Sequence, residues 1–224
     1  MKLLESFFKI VAPDCCISCG QEGKLICDDC AQVSFDAMPR CYRCKKPDPN
    51  SLTCAKCSKN SPLNAVYVAA SYKNLAKDLV HACKYQSSRS AARIMSEQIS
   101  VALPYLDPEQ TIITHSPTTP SRIRERSFDQ SGIIAKNIAI KLHLLKANLL
   151  VRMTNTHQVG ATHKQRIAHM DGAFEVKNPI LFKGKTVLLV DDVLTTGATL
   201  ESAARTLRRS GAKRVIACVF ARTE

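Results

Sequence analysis

Eight cysteines stand in four Cys-x-x-Cys pairs near the start of the chain: Cys16/Cys19, Cys27/Cys30, Cys41/Cys44 and Cys54/Cys57. A two-residue gap lets two thiolates reach one metal ion from a single tight turn, and two such turns complete a tetrahedral four-cysteine zinc site. Sequential pairing would join Cys16/19 to Cys27/30 and Cys41/44 to Cys54/57, with Phe35–Pro39 as the connector. The spacing also admits a cross-braced arrangement, first pair with third. Cys15 duplicates Cys16 in position and is read as a spare thiol. The same cysteines could make four disulfides in a small secreted scaffold. Only Cys83 and Cys218 lie outside this stretch, however, and Met1–Ala12 carries no early positive cluster and no small-residue cleavage site. Two structural zinc ions are therefore expected. With all four positions taken by protein they would catalyse nothing, and would serve as a platform.

A second locus lies near the other end. Val187–Val190 is an apolar run with the look of a central parallel strand. Asp191 and Asp192 follow at its carboxyl end, where open α/β sheets bind ligands. Two adjacent carboxylates are costly there unless they face hydroxyls, a cation or water. Next come Thr195, Thr196, Gly197, Ala198 and Thr199, small and hydroxylic, leading into a helix. Backbone N–H groups and hydroxyls at a helix start form an anion cradle, and the glycine permits close approach. Acidic pair and cradle together suit a ribose 5-phosphate.

These groups need a scaffold, and the composition supplies one. With 45% apolar residues the 224-residue chain can bury a core, and none of its apolar stretches is long enough to span a membrane. Two units are expected, a zinc-ribbon module over residues 1–60 and a larger domain over 61–224. Strand-like Ala65–Ala70 precedes helical spacing through Leu75, Leu79, Val80 and Cys83, and a second helix covers Ser90–Leu103. Thr111–Thr114 reads as a strand, the basic stretch to Ser127 as a long loop, and Phe128–Leu142 as a helix. Leu149–Val151 is a strand, and a polar loop with His157, His163 and His169 precedes Ala173–Val176. Strand 186–190, helix 200–209, Gly211 as its left-handed stop and strand 215–220 close the chain. Alternating strands and helices imply an α/β fold with a mainly parallel sheet covered on both faces. Cys83 and Cys218 sit among apolar residues and read as core.

The segment Val190-Asp-Asp-Val-Leu-Thr-Thr-Gly-Ala-Thr199 resembles the phosphoribosyl pyrophosphate (PRPP) signature of type I phosphoribosyltransferases. The chain as a whole is similar to the competence protein ComF family. The likeness rests on the cysteine pairs, Lys84-Tyr85, Arg126-Ser-Phe-Asp-Gln130, Gln158 with Arg166, and Gly172-Ala-Phe174. It implies that Asp191 and Asp192 bind ribose hydroxyls, directly or through Mg²⁺, and that Thr195–Thr199 hold the 5-phosphate. By the same likeness Lys84 and Arg126 contact pyrophosphate. His115-Ser-Pro-Thr118 takes the place of the family's pyrophosphate loop, usually Pro-Val-Pro-Leu, and Arg126–Gln130 that of Arg-Gly-Phe-Asn-Gln. Here His115 replaces the first proline, Ser127 the glycine and Asp129 the asparagine.

Charge adds one more pointer. Residues 1–60 carry a net excess of two positive charges and residues 61–224 an excess of eleven, which favours anionic partners. Arg122 and Arg124 are the residues expected to meet DNA phosphates. With no Trp and few other aromatics, a stacking groove for single strands is not indicated. Three readings follow. The first, which the resemblance implies, is a cytoplasmic ComF-like protein of natural transformation that handles incoming single-stranded DNA and binds PRPP with Mg²⁺. The second is an active phosphoribosyltransferase acting on an unidentified base or amine. The third is a zinc-ribbon scaffold docking a DNA-uptake protein or helicase. Replacing Cys41 by serine is expected to unfold the second half of the module and leave the PRPP site largely intact.

Overall fold

The computed structural model describes residues 15–31, 35, 37–153 and 172–223. The Met1–Ala12 lead-in, and Gln158, Arg166 and the three loop histidines, lie outside the described residues. Single helical turns at Asp28–Ala31 and Ala55–Ser58 carry the second cysteine of the Cys27/Cys30 and Cys54/Cys57 pairs. The larger unit then runs β1 (Ala65–Ser71), α1 (Asn74–Tyr85), α2 (Arg89–Ala102), β2 (Thr111–His115), α3 (Pro120–Arg126) and α4 (Gln130–Leu142). It continues with β3 (Leu145–Lys146), β4 (Leu150–Arg152), β5 (Phe174–Val176), β6 (Thr186–Leu194), α5 (Ala198–Arg209) and β7 (Arg214–Arg222).

Five strands form one sheet in the order β1-β7-β6-β2-β3, every pair parallel, and β4 and β5 form a separate antiparallel pair. Alternation along β6 explains the layering. Leu188 and Val190 face Leu79, Met95, Ile99, Ile134 and Ile138 of α1, α2 and α4. Val187 and Leu189 face Leu200, Ala203 and Leu207 of α5, together with Leu150 and Phe174. A central strand buried on both sides must be apolar throughout, and residues 187–190 are. Helix starts are set locally. Ser88 accepts from Ala91 N–H and Asp129 from Gly132 N–H, each taking up a donor that the first turn leaves unpaired.

The connections after β2 and β6 leave in opposite directions. β6 crosses through α5 on one face to β7, while β2 crosses through α4 on the other face to β3. The carboxyl ends of β6 and β2 therefore flank a switch point, where loops diverge and open a crevice.

The structure corrects the expectation of a long loop before Ser127. Thr119–Arg126 begins with Pro in the first turn, supplies Arg and Glu as good helix formers, and ends where Ser127 takes φ +65°. None of the residues in α3 is buried, so no apolar stripe marked it in the sequence. Strand β6 also continues to Leu194, four residues past the apolar run, because it stays in register with β7 up to Leu194 opposite Arg222. The strand expected at 149–151 exists as β4, but outside the main sheet.

Candidate functional site

Asp191 and Asp192 lie within the extended end of β6, partly shielded from solvent. Asp191 Oδ1 accepts from Ser131 Oγ at 3.0 Å and from the Asp192 N–H at 2.9 Å. Lys84 Nζ, at the end of α1, stands 2.9 Å from Asp192 Oδ2. Burial and then the neighbouring Asp192 charge push the Asp191 carboxyl up to about 7, against the pull of the Asp192 N–H, the Ser131 hydroxyl and Lys84. A raised carboxyl beside a second carboxylate suits a divalent cation or ligand hydroxyls. Lys84, expected on the basis of resemblance to face pyrophosphate, pairs here with a carboxylate.

The loop that follows is the segment expected to cradle an anion. Gly197 takes φ +79°, a conformation costly for any residue with a Cβ, and turns the chain directly into α5. The Thr196 hydroxyl accepts from Ala198 N–H at 3.4 Å, and Thr195 and Thr196 are exposed. Thr199 is partly shielded in the first turn of α5. The loop thus presents hydroxyls at the positive end of a 12-residue helix.

Across the crevice, the loop after β2 is tied to β6 by Ser116 N–H on Val190 O at 2.9 Å. Asp129, at the start of α4, accepts from Thr118 N–H and Gly132 N–H, both at 3.1 Å. His115 Nε2 lies 3.5 Å from Asp129 Oδ2. Two of the three departures from the family's usual pattern therefore meet each other. Burial disfavours the Asp129 carboxylate, but His115 and the two N–H donors outweigh it and hold its pKa below the ordinary value. His115 Nδ1 is buried without a hydrogen-bond partner among the described residues.

Arg126 ends α3 with its guanidinium 5.7 Å from the centre of the Tyr85 ring. Its Nη1 donates to Gln130 Oε1 at 3.4 Å, while its Nε is buried with no partner among the described residues. Arg122 and Arg124 are exposed on α3. Sequence reasoning missed Arg152, which ends β4 and lies 5.4 Å over the Phe174 ring. Burial and then Arg122 lower its pKa, while Asp191 acts the other way, so Arg152 senses both the arginine helix and the acidic pair. A basic residue closing the short apolar run 149–151 was its one sequence signal.

The cysteines gather in two groups, Cys16/19/27/30 and Cys41/44/54/57, with all four sulfurs of each within 4.8 Å of one another. Cys19 and Cys27 sulfurs are 3.6 Å apart, as are those of Cys44 and Cys54. Zn–S bonds of about 2.3 Å give a tetrahedron with edges of about 3.8 Å, so both groups could hold zinc. In the second group burial raises the Cys41 thiol, but N–H groups of Cys44, Cys54 and Arg43 outweigh it and bring it down to about 6. Burial first, then hydrogen bonds with Cys54, Cys44 and Cys41, pushes Cys57 up to about 12. A group whose members ionise so unequally needs a cation to carry four thiolates. Cys15 is exposed and belongs to neither group, while Cys83 and Cys218 are buried in the core.

The phosphoribosyl transferase domain family matches residues 123–224. The chain is 28% identical over 211 residues to DNA utilization protein YhgH of Escherichia coli (strain K12), covering 88% of this chain and 90% of that one. It is 25% identical over 182 residues to competence protein ComFC of Bacillus subtilis (strain 168), covering 76% of this chain and 72% of that protein. Among solved structures, the allosteric regulatory enzyme of purine biosynthesis aligns with TM-score 0.42 and 18% identity, over 57% of this chain and 25% of the other. No helix among the described residues is long and apolar enough to cross a membrane.

Proposed function

We propose that this chain, which is similar to DNA utilization and competence proteins and carries a phosphoribosyl transferase-like region behind two four-cysteine groups, is a ComF-like protein that binds PRPP with Mg²⁺ and handles single-stranded DNA in natural transformation. The observation that carries this reading is the run from Asp191 to Thr199 at the switch point. There a carboxylate pair is followed directly by a glycine turn and a helix start. In the proposal Thr195, Thr196, Gly197, Ala198 and Thr199 enclose the 5-phosphate, and Asp191 and Asp192 face the ribose hydroxyls. Bound Mg²⁺ would neutralise pyrophosphate, and the carboxylates suit it, since this ion favours one or two carboxylates together with substrate phosphates.

Lys84 holds Asp192 in the unliganded state and turns to the pyrophosphate when ligand arrives. Arg126 meets the same group with the nitrogen that has no partner among the described residues. Zinc in each four-cysteine group would fold residues 1–60 as a ribbon module, which serves as the platform for a DNA-uptake or helicase partner in the cytoplasm. Residues 61–224 form the PRPP-binding domain. Arg122 and Arg124 offer exposed charge to DNA phosphates.

Calorimetry with PRPP and Mg²⁺ tests the reading. Binding should require Mg²⁺ and be lost in the Asp191→Asn/Asp192→Asn double variant. Equal affinity in wild type and double variant would refute it.

A further inference from the structure

The turn between Cys41 and Cys44 reaches the phosphate-binding loop. Tyr42 is only 9% exposed, and its hydroxyl donates to Glu201 Oε1 at 2.7 Å and shares a bond with Ser61 Oγ at 2.6 Å. Arg43 grips the same carboxylate through Nε to Oε1 at 2.6 Å and Nη2 to Oε2 at 3.2 Å. Glu201 lies in the first turn of α5, and its N–H donates to Gly197 O at 2.9 Å. On the other side of that glycine the Tyr42 ring lies 3.5 Å from where a Cβ would stand, and the Leu194 side chain 3.4 Å away. The first cysteine group has a different neighbourhood. Ile17, Leu25, Ile26 and Phe35 pack with it on the opposite face of the sheet, where Phe35 meets Phe220 at 5.7 Å.

We propose that Tyr42, Arg43 and Glu201 are positioning residues that make the second cysteine group a support of the 195–199 loop, so that metal in that group sets the loop's order and its affinity for a phosphate monoester. The proposal rests on reading 195–199 as the 5-phosphate loop. An anion cradle works through N–H groups already aimed before the ligand comes, and whatever fixes their backbone sets its strength. A metal clamping Cys41 and Cys44 fixes the two residues between them, and through Glu201 the start of α5. If the clamp opens, the hydroxyl and the guanidinium fork lose their place and the loop must be ordered by the ligand itself.

The test uses the full chain with three readouts: zinc content, hydrogen exchange of amides 195–201, and calorimetry with ribose 5-phosphate. Glu201→Gln and Tyr42→Phe should keep the zinc content of wild type, speed exchange in 195–201, and weaken ribose 5-phosphate about tenfold, the order set by losing one hydrogen bond to a charged group. Cys44→Ser should lose metal and speed exchange in the same amides. Cys19→Ser should speed exchange over residues 16–30 and leave 195–201 protected. Protected 195–201 amides in Cys44→Ser after metal loss, or in both Glu201→Gln and Tyr42→Phe, would overturn the coupling. Exchange is read without ligand. Wild type that ignores ribose 5-phosphate while exchange follows this pattern would overturn the phosphate reading and uphold the coupling.

Discussion

Asp191→Asn should make the unliganded protein more stable while it abolishes PRPP binding. The carboxyl is pushed from 3.8 to about 7, chiefly by burial and then by Asp192. Roughly three pKa units at about 1.36 kcal/mol each set a ceiling of about 4 kcal/mol on the cost of ionising it in the folded state. Asp191 keeps some contact with solvent, which screens that cost, so a gain of about 1–2 kcal/mol is expected. For a chain of this size that is about 3–6 °C in Tm. The folded state holds this proton more tightly than the unfolded chain, so wild-type stability should fall between about pH 4 and pH 7 from this group and level off above. Asparagine keeps an Oδ1 to accept from Ser131 and from the Asp192 N–H, so the local bonds survive. Thermal unfolding of both proteins across pH, without ligand, gives the comparison. The gain should be full at pH 8 and absent near pH 4. A variant less stable than wild type at pH 8, or a gain equal at pH 4 and pH 8, would show the reasoning to be wrong.

The other expectations concern separate parts of the molecule. Metal analysis of purified protein should return two zinc equivalents, and one or none would refute the two-site reading. Gly197→Val should lose ribose 5-phosphate binding and about 1–2 kcal/mol of stability from the φ of +79° alone, and an unchanged melting curve would contradict this. Asp129→Asn should destabilise at neutral pH. Because the native pKa is depressed, its stabilising effect is full above the unfolded value and lost as pH falls through the folded one, so the two proteins should converge in acid. Single-strand affinity should fall with salt, at about 0.7 in log–log slope per phosphate contacted, and Arg122→Ala/Arg124→Ala should flatten the slope by one to two contacts. An unchanged slope would move DNA handling to a partner protein.

The end of the chain was the most legible part, for a physical reason. Residues 187–190 are buried on both faces and must be apolar, and Gly197 and Gly211 mark conformations that other residues avoid. The cysteine pairs were legible because two-residue spacing is itself the geometry of a knuckle. Helix α3 was not, since a helix with no buried apolar face leaves no period in the sequence. Register was equally hidden: nothing in Val193-Leu194 says that β6 runs on until Arg222 ends its partner strand. Long-range polar contacts were beyond reach. Tyr42 and Glu201 are 159 positions apart, and treating residues 1–60 as a separate unit suggested that Cys41 could be lost without touching the ligand loop. The bond between them joins what the pattern of cysteines divides.

The Lys84–Asp192 pair gives the resting site a charge balance of its own. With Asp191 sharing a proton near neutrality and Asp192 answered by an ammonium 2.9 Å away, the crevice has little net charge to draw in a bare cation. A hydrated divalent ion arriving alone would have to displace the lysine into solvent and shed water for two carboxylates, with nothing to receive the freed ammonium. On the proposed reading, an ion delivered on a diphosphate would bring the anion that takes the lysine over. The exchange would then conserve charge at each place, and the metal and its phosphate would enter together or hardly at all. The lysine would act as a placeholder that makes metal uptake conditional on ligand.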